Sequence, residues 1–199
     1  LERGTVADVQ RCVLHMARAY ARLHVEGRAF VARTEALRRA ALTGELGGWT
    51  DDLPRALEWL RLTVDDSRVR RAIAHIMNVW YASRESLTLT HGDPAPSNVI
   101  FLPASGEARL IDFEYGAARH PAHDLSAWEI LCPLPNDCVQ ALRHEYASAR
   151  AALGWAVSPD EASYVALVAY RALALLAWLP REARANDCPW VESWGARQA

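Results

Sequence analysis

Apolar residues recur at positions 9, 13, 16, 20 and 23 of TVADVQRCVLHMARAYARLH (5–24), the spacing that lines one face of a helix. Thr5 or Asp8 can cap its start, and Gly27 lies just past its expected end. The same period predicts helices over 31–42, stopping near Gly44, and over 67–82. Another begins near Asp52, with Pro54 in the first turn, where a missing N–H leaves no bond unmade. The period then falls to two. SLTLT (86–90), NVIFL (98–102) and ARLIDF (108–113) alternate as strands do, and PASGEA (103–108) reads as a turn. Helical spacing returns over 124–131, 137–153 and 159–179, the last opening on the capping box Ser158-Pro-Asp-Glu161. The expected fold is mainly α with a small β-hairpin, a helical bundle around that hairpin. It is read as one unit over 1–199: helical over 1–85, loop and hairpin over 86–115, helical over 116–199.

Polar residues that interrupt the apolar runs of the hairpin carry the candidate chemistry. HGDPAPSNVIF (91–101) and LIDFE (110–114) hold Asp93, Asn98 and Asp112. A turn near 105 pairs each residue i with one near 210 − i, so Asn98 is expected opposite Asp112 within a register error of one or two. Two oxygen donors so placed can share a hard cation such as Mg²⁺, which takes few protein ligands and leaves positions for phosphate and water. Gly92, Pro94 and Pro96 shape a loop that can hold Asp93 near that cation without binding it. Phosphoryl transfer from a nucleotide needs this set: a carboxylate for the acceptor hydroxyl, and an Asn and an Asp for the metal on the phosphates. The competing reading is a polar hairpin with chance spacing, and three positions in one hairpin weigh against it.

HGDPAPSN resembles the catalytic loop of the aminoglycoside phosphotransferase and choline kinase-like family, whose catalytic lobe is shared with protein kinases. LIDFEYG resembles that family's metal-binding segment, and the ending ARLH of the first helix resembles the start of its C-terminal lobe. The resemblance implies that Asp93 is the catalytic base, that Asn98 and Asp112 hold Mg²⁺ and the nucleotide, and that His91 braces the loop. Asp124, in HPAHDLSAWE, resembles the family's structural Asp, which accepts hydrogen bonds from the loop backbone; a helix cap is the alternative. The implied activity is Mg²⁺-dependent transfer of the γ-phosphoryl group of ATP, or another nucleoside triphosphate, to a hydroxyl of a small molecule. The acceptor would be an aminoglycoside, choline, ethanolamine or a similar alcohol.

The family's preceding lobe carries a nucleotide-covering loop and a phosphate-contacting Lys. All 22 basic residues here are Arg, and no strand-rich stretch precedes residue 86. The chain also opens on Leu1 rather than Met, so it is read as the C-terminal lobe of a longer protein, with the N-terminal nucleotide lobe as its missing partner. A non-catalytic lobe that binds or regulates is the rival reading. It predicts no Gly-rich hairpin and no Lys-bearing strand upstream.

The formal net charge of −2 offers no basic field for nucleic acid or a membrane surface. Residues 162–179 could match a membrane span in length, but Arg171 sits at their centre, and a buried bundle helix is expected. Cys12, Cys132, Cys138 and Cys188 form no C-x-x-C pair and read as free thiols of a cytoplasmic protein. Glu114 is open to a substrate or supporting role, or to an exposed strand end. His120 and His123 read as surface loop residues, and His15, His24, His75 and His144 receive no role. Trp128, Trp178, Trp190 and Trp194 could cage a cationic amine, though core positions are the ordinary use of such residues. Glu129, Glu161 and Glu192 are candidates for an acidic acceptor pocket.

Overall fold

The computed structural model describes residues 6–37, 53–63, 65–82, 86–130, 134–156 and 161–178. Helix α1 is Val6–Arg33, α2 covers 53–59, and α3 is Ser67–Ala82. Strands β1 (Thr88–Thr90), β2 (Val99–Phe101), β3 (Ala108–Leu110) and β4 (Ala117–Arg119) follow. Then come α4 (Ala122–Ile130), α5 (Asn136–Ala152) and α6 (Glu161–Trp178). The chain is thus mostly helical with small antiparallel sheets, the class its periodicity indicates.

α1 runs unbroken through Gly27, where the sequence suggests a stop, and takes in the start of the segment expected as a second helix. That glycine serves contact rather than termination. A Cβ there would lie 2.7 Å from the Leu89 Cβ and 2.8 Å from the Leu89 nitrogen. Its absence lets β1 lie directly on the helix, and the Thr88 hydroxyl donates to the carbonyl of His24. Val13, Met16, Ala17, Tyr20 and Ala21 form the buried face of α1, which packs along α5. The rest of the 31–42 expectation, the Gly44 stop and the Ser158 capping box lie outside the described residues.

One hairpin is expected and two small sheets are found. β2 pairs with β3, and β1 pairs with β4, a strand the alternation does not reveal. AAR (117–119) has no polar–apolar contrast to mark it; Ala118 alone is buried, opposite Leu89. The main core joins α1, α5 and α6 to Val99 and Ala108 of the hairpin and to Leu125 and Trp128 of α4. α6 packs on α3 and α4, with Leu167 and Tyr170 buried. No helix among the described residues is long and apolar enough to cross a membrane.

Candidate active site

The loop between β1 and β2 is held from below. Asp124, fully buried in the first turn of α4, accepts the backbone N–H of His91 at 2.7 Å through Oδ2 and that of Gly92 at 3.0 Å through Oδ1. It does not act as a cap for its own helix. Its Oδ2 also lies 3.0 Å from Nε2 of His24 on α1. A carboxylate only accepts, so Nε2 donates, and His24 Nδ1 meets the Tyr146 hydroxyl at 2.9 Å. Burial acts to raise the Asp124 pKa. His123 and His24 beside it outweigh that and hold the carboxyl well below the usual carboxylate range. Burial also pushes the Tyr146 hydroxyl up.

Gly92 adopts φ +87°, and a Cβ on it would stand 2.0 Å from the carbonyl oxygen of Tyr115. Both the conformation and the space exclude any other residue. His91 is buried, donates through Nε2 to the carbonyl of Ile111 at 2.7 Å, and lays its ring 4.5 Å from that of Phe113. The loop is therefore tied to the chain on both sides of Asp112.

Asp93 and Asn98 meet directly. The five-residue spacing is closed by a 3-10 turn, Pro96–Asn98, which sends the Asn98 side chain back toward the loop. Asn98 Nδ2 donates to the Asp93 carbonyl at 2.9 Å and to the Asp93 carboxylate at 3.1 Å. With the amide nitrogen so engaged, Asn98 Oδ1, which accepts from the Ser97 hydroxyl at 3.3 Å, presents its oxygen away from Asp93.

The hairpin register is one residue from the expected one. Val99 pairs with Leu110, and Ile111 N–H donates to the Asn98 carbonyl at 3.0 Å, so Ile111 and not Asp112 stands opposite Asn98. This lies within the expected error, yet one residue in a strand reverses the face of the side chain. Asp112 leaves the strand geometry with φ +62°. Its carboxylate is exposed and carries no hydrogen bond or ion pair among the described residues. No group of three or more His, Cys, Asp or Glu among the described residues could hold a metal ion. The donors that Asn98 and Asp112 offer are oxygens, and few, a set that suits Mg²⁺ better than a softer metal.

The other sequence candidates separate. Glu114 is exposed beside Asp112. His120 and His123, expected on the surface, are 4% and 2% exposed. His120 Nδ1 accepts the N–H of Ala122 at the start of α4, and His123 meets Arg171 of α6. Trp128 is core, and Glu129 accepts the Tyr164 hydroxyl. Trp190, Trp194 and Glu192 lie outside the described residues, as do the Trp178 and Glu161 side chains. Two grooves of about 510 and 490 Å³ flank His15 at the turn end of the β2–β3 hairpin, and neither is lined by Asp93, Asn98 or Asp112.

Sequence reasoning missed three supporting residues: His24, Tyr146 and Arg171. A signal existed for the last, since one charge in the apolar run of α6 needs a partner. For His24 the signal was the ARLH ending of the first helix, whose resemblance marks the segment but not the role of its histidine.

A mostly helical lobe, with a short hairpin and a loop whose backbone hangs on a buried helix-borne Asp, is a kinase-like catalytic lobe. The chain belongs to the phosphotransferase enzyme family (APH), whose family model matches residues 2–156. The match takes in α1, the loop, both sheets, α4 and α5, and ends before α6. No curated protein matches the chain.

Proposed function

We propose that this chain carries the catalytic lobe of a small-molecule kinase. It would move the γ-phosphoryl group of ATP, or another nucleoside triphosphate, to a hydroxyl of an aminoglycoside, choline, ethanolamine or similar alcohol. The observation that supports this reading is the Asp93–Asn98 hydrogen bond at 3.1 Å on a loop anchored by Asp124. Such an anchor holds one carboxylate oxygen of Asp93 toward Asn98 and leaves the other for the acceptor hydroxyl. In transfer, the acceptor oxygen bonds to the γ-phosphorus as the bond to the departing diphosphate breaks, and the hydroxyl proton passes to Asp93. Asn98 Oδ1 and the exposed Asp112 carboxylate would hold Mg²⁺, which when bound neutralises charge on the phosphates. Asn98 thus orients the base with its nitrogen and serves the metal with its oxygen.

The test is Asp93→Asn in the full-length protein, assayed with ATP, Mg²⁺ and a panel of hydroxyl acceptors. Turnover should fall by about 10²–10⁴-fold, the range for losing a general base, with the melting temperature unchanged. Equal turnover in both proteins would remove Asp93 from the chemistry. Undetectable turnover from the wild type with every acceptor would favour the non-catalytic lobe.

A further inference from the structure

Arg171 is the one charged residue among positions 164–178 of α6, an otherwise apolar helix, and it is half-buried. Placing a guanidinium there is unfavourable unless it meets acceptors. Its Nη1 lies 2.8 and 3.1 Å from the two ring nitrogens of His123, and 3.5 Å from the carbonyl oxygen of Gly92. A guanidinium only donates, so a His123 nitrogen and the Gly92 carbonyl are the acceptors. His123 Nδ1 in turn stands 3.8 Å from Asp124 Oδ1, the oxygen that accepts the N–H of Gly92. Gly92 is thereby approached at both ends: its N–H bonds to a buried carboxylate, and its carbonyl faces a half-buried cation. That carbonyl belongs to the peptide group whose nitrogen is that of Asp93. Its orientation therefore sets the direction in which the Asp93 backbone, and the side chain on it, leaves the loop.

We propose that Arg171 is a positioning residue for Asp93, acting through the Gly92–Asp93 peptide with His123 as its second anchor. The inference rests on the phosphotransfer reading for its kinetic consequence, while the clamp itself is independent of it. Arg171 lies beyond the residues the family model matches, so family membership assigns it nothing.

Arg171→Met keeps an unbranched side chain in the apolar surroundings of α6 and removes the charge. Arg171 is half-buried and its acceptors, a His123 nitrogen and the Gly92 carbonyl, lie on separate elements, so the melting temperature is measured beside kcat to read fold and function separately. The expected result in the full-length protein is a fall in kcat of about 10–100-fold, the scale of a small misplacement of a reacting group, with KM for ATP unchanged. Arg171→Lys, which keeps a donor at the same helix position, should recover part of the loss. In an Asp93→Asn background, Arg171→Met should lower turnover no further, because residues that act through one another are not additive. Amide hydrogen exchange over 91–93 should quicken in Arg171→Met, whether or not any acceptor is turned over. Unchanged exchange there overturns the clamp. Faster exchange with kcat unchanged overturns the positioning role. If Asp93→Asn turns over like wild type, the phosphotransfer reading fails on its own, and the exchange result still decides the clamp.

Discussion

Asp112 and Asp124 carry the same side chain on either side of β4, and the fold treats them in opposite ways. Asp124 is fully buried, and its two oxygens receive two backbone N–H groups and a histidine. Asp112 is exposed, sits on left-handed backbone, and makes no hydrogen bond or ion pair among the described residues. The loop with Asp93 and Asn98 lies between these extremes: its backbone is tied to the buried acid, Asn98 is buried, and Asp93 is half-buried. A structural carboxylate is recognised by saturation, and a carboxylate with spare acceptors is open to a ligand. The energetics should divide the same way, with stability resting on the buried acid.

The sharpest way to break this contrast is Asp124→Ala. It strips a buried carboxylate from two N–H groups and from His24, with water excluded. Removing one partner of such a buried ionic network is expected to destabilise the protein by about 3–5 kcal/mol, read by denaturant unfolding. A loss below that of an ordinary surface substitution would show that the network is not holding the loop. Acid provides the matched measurement. The folded-state pKa of Asp124 lies below its ordinary value of 3.8, so its stabilisation is complete above that pH. It is lost as pH falls from there toward the lower folded value. Wild type should therefore shed stability below that point more steeply than Asp124→Ala, by at most about 1.4 kcal/mol per pH unit. Parallel slopes would mean that the carboxyl is not held low.

The same division explains what could be read from sequence. The D-x-x-x-x-N spacing and the apolar alternation on either side locate the loop and hairpin, because turn residues and period-two runs are local signals. The helices over 67–82 and 137–153 are equally local: α3 occupies the first span, and α5 the second with its ends shifted by a residue. What was hidden depends on distant partners. Gly27 looks like a helix stop until β1 is seen lying against it. β4 is a strand because β1 is beside it, and its own alanines announce nothing. His24 and Tyr146 take their role from Asp124, a hundred residues from His24 along the chain. The register differs from a count of residues by one, because the turn is centred between residues 104 and 105 rather than on 105.

The smallest stability effect belongs to Asp112, and its value lies in separating backbone from carboxylate. At φ +62° most side chains crowd the following carbonyl, at a cost of roughly 1–2 kcal/mol, which Asn and Asp largely escape. Asp112→Asn should therefore unfold within about 0.5 kcal/mol of wild type, as a surface substitution does. Asp112→Ala should be less stable than Asp112→Asn by up to about 1–2 kcal/mol from the backbone alone. If the carboxylate serves Mg²⁺ and nucleotide, turnover should drop in both variants, and the Asn variant, which keeps one oxygen donor, should need more Mg²⁺ to reach half its maximal rate. Thermal shift by Mg²⁺ with ATP measures the same difference without turnover, because a ligand raises the melting temperature only in proportion to its binding of the folded state. Stability near wild type together with a lost shift would place the role of Asp112 in ligand binding. Equal losses of stability in Asn and Ala would place it in the fold, and Asp112 would then belong with Asp124 rather than opposite it.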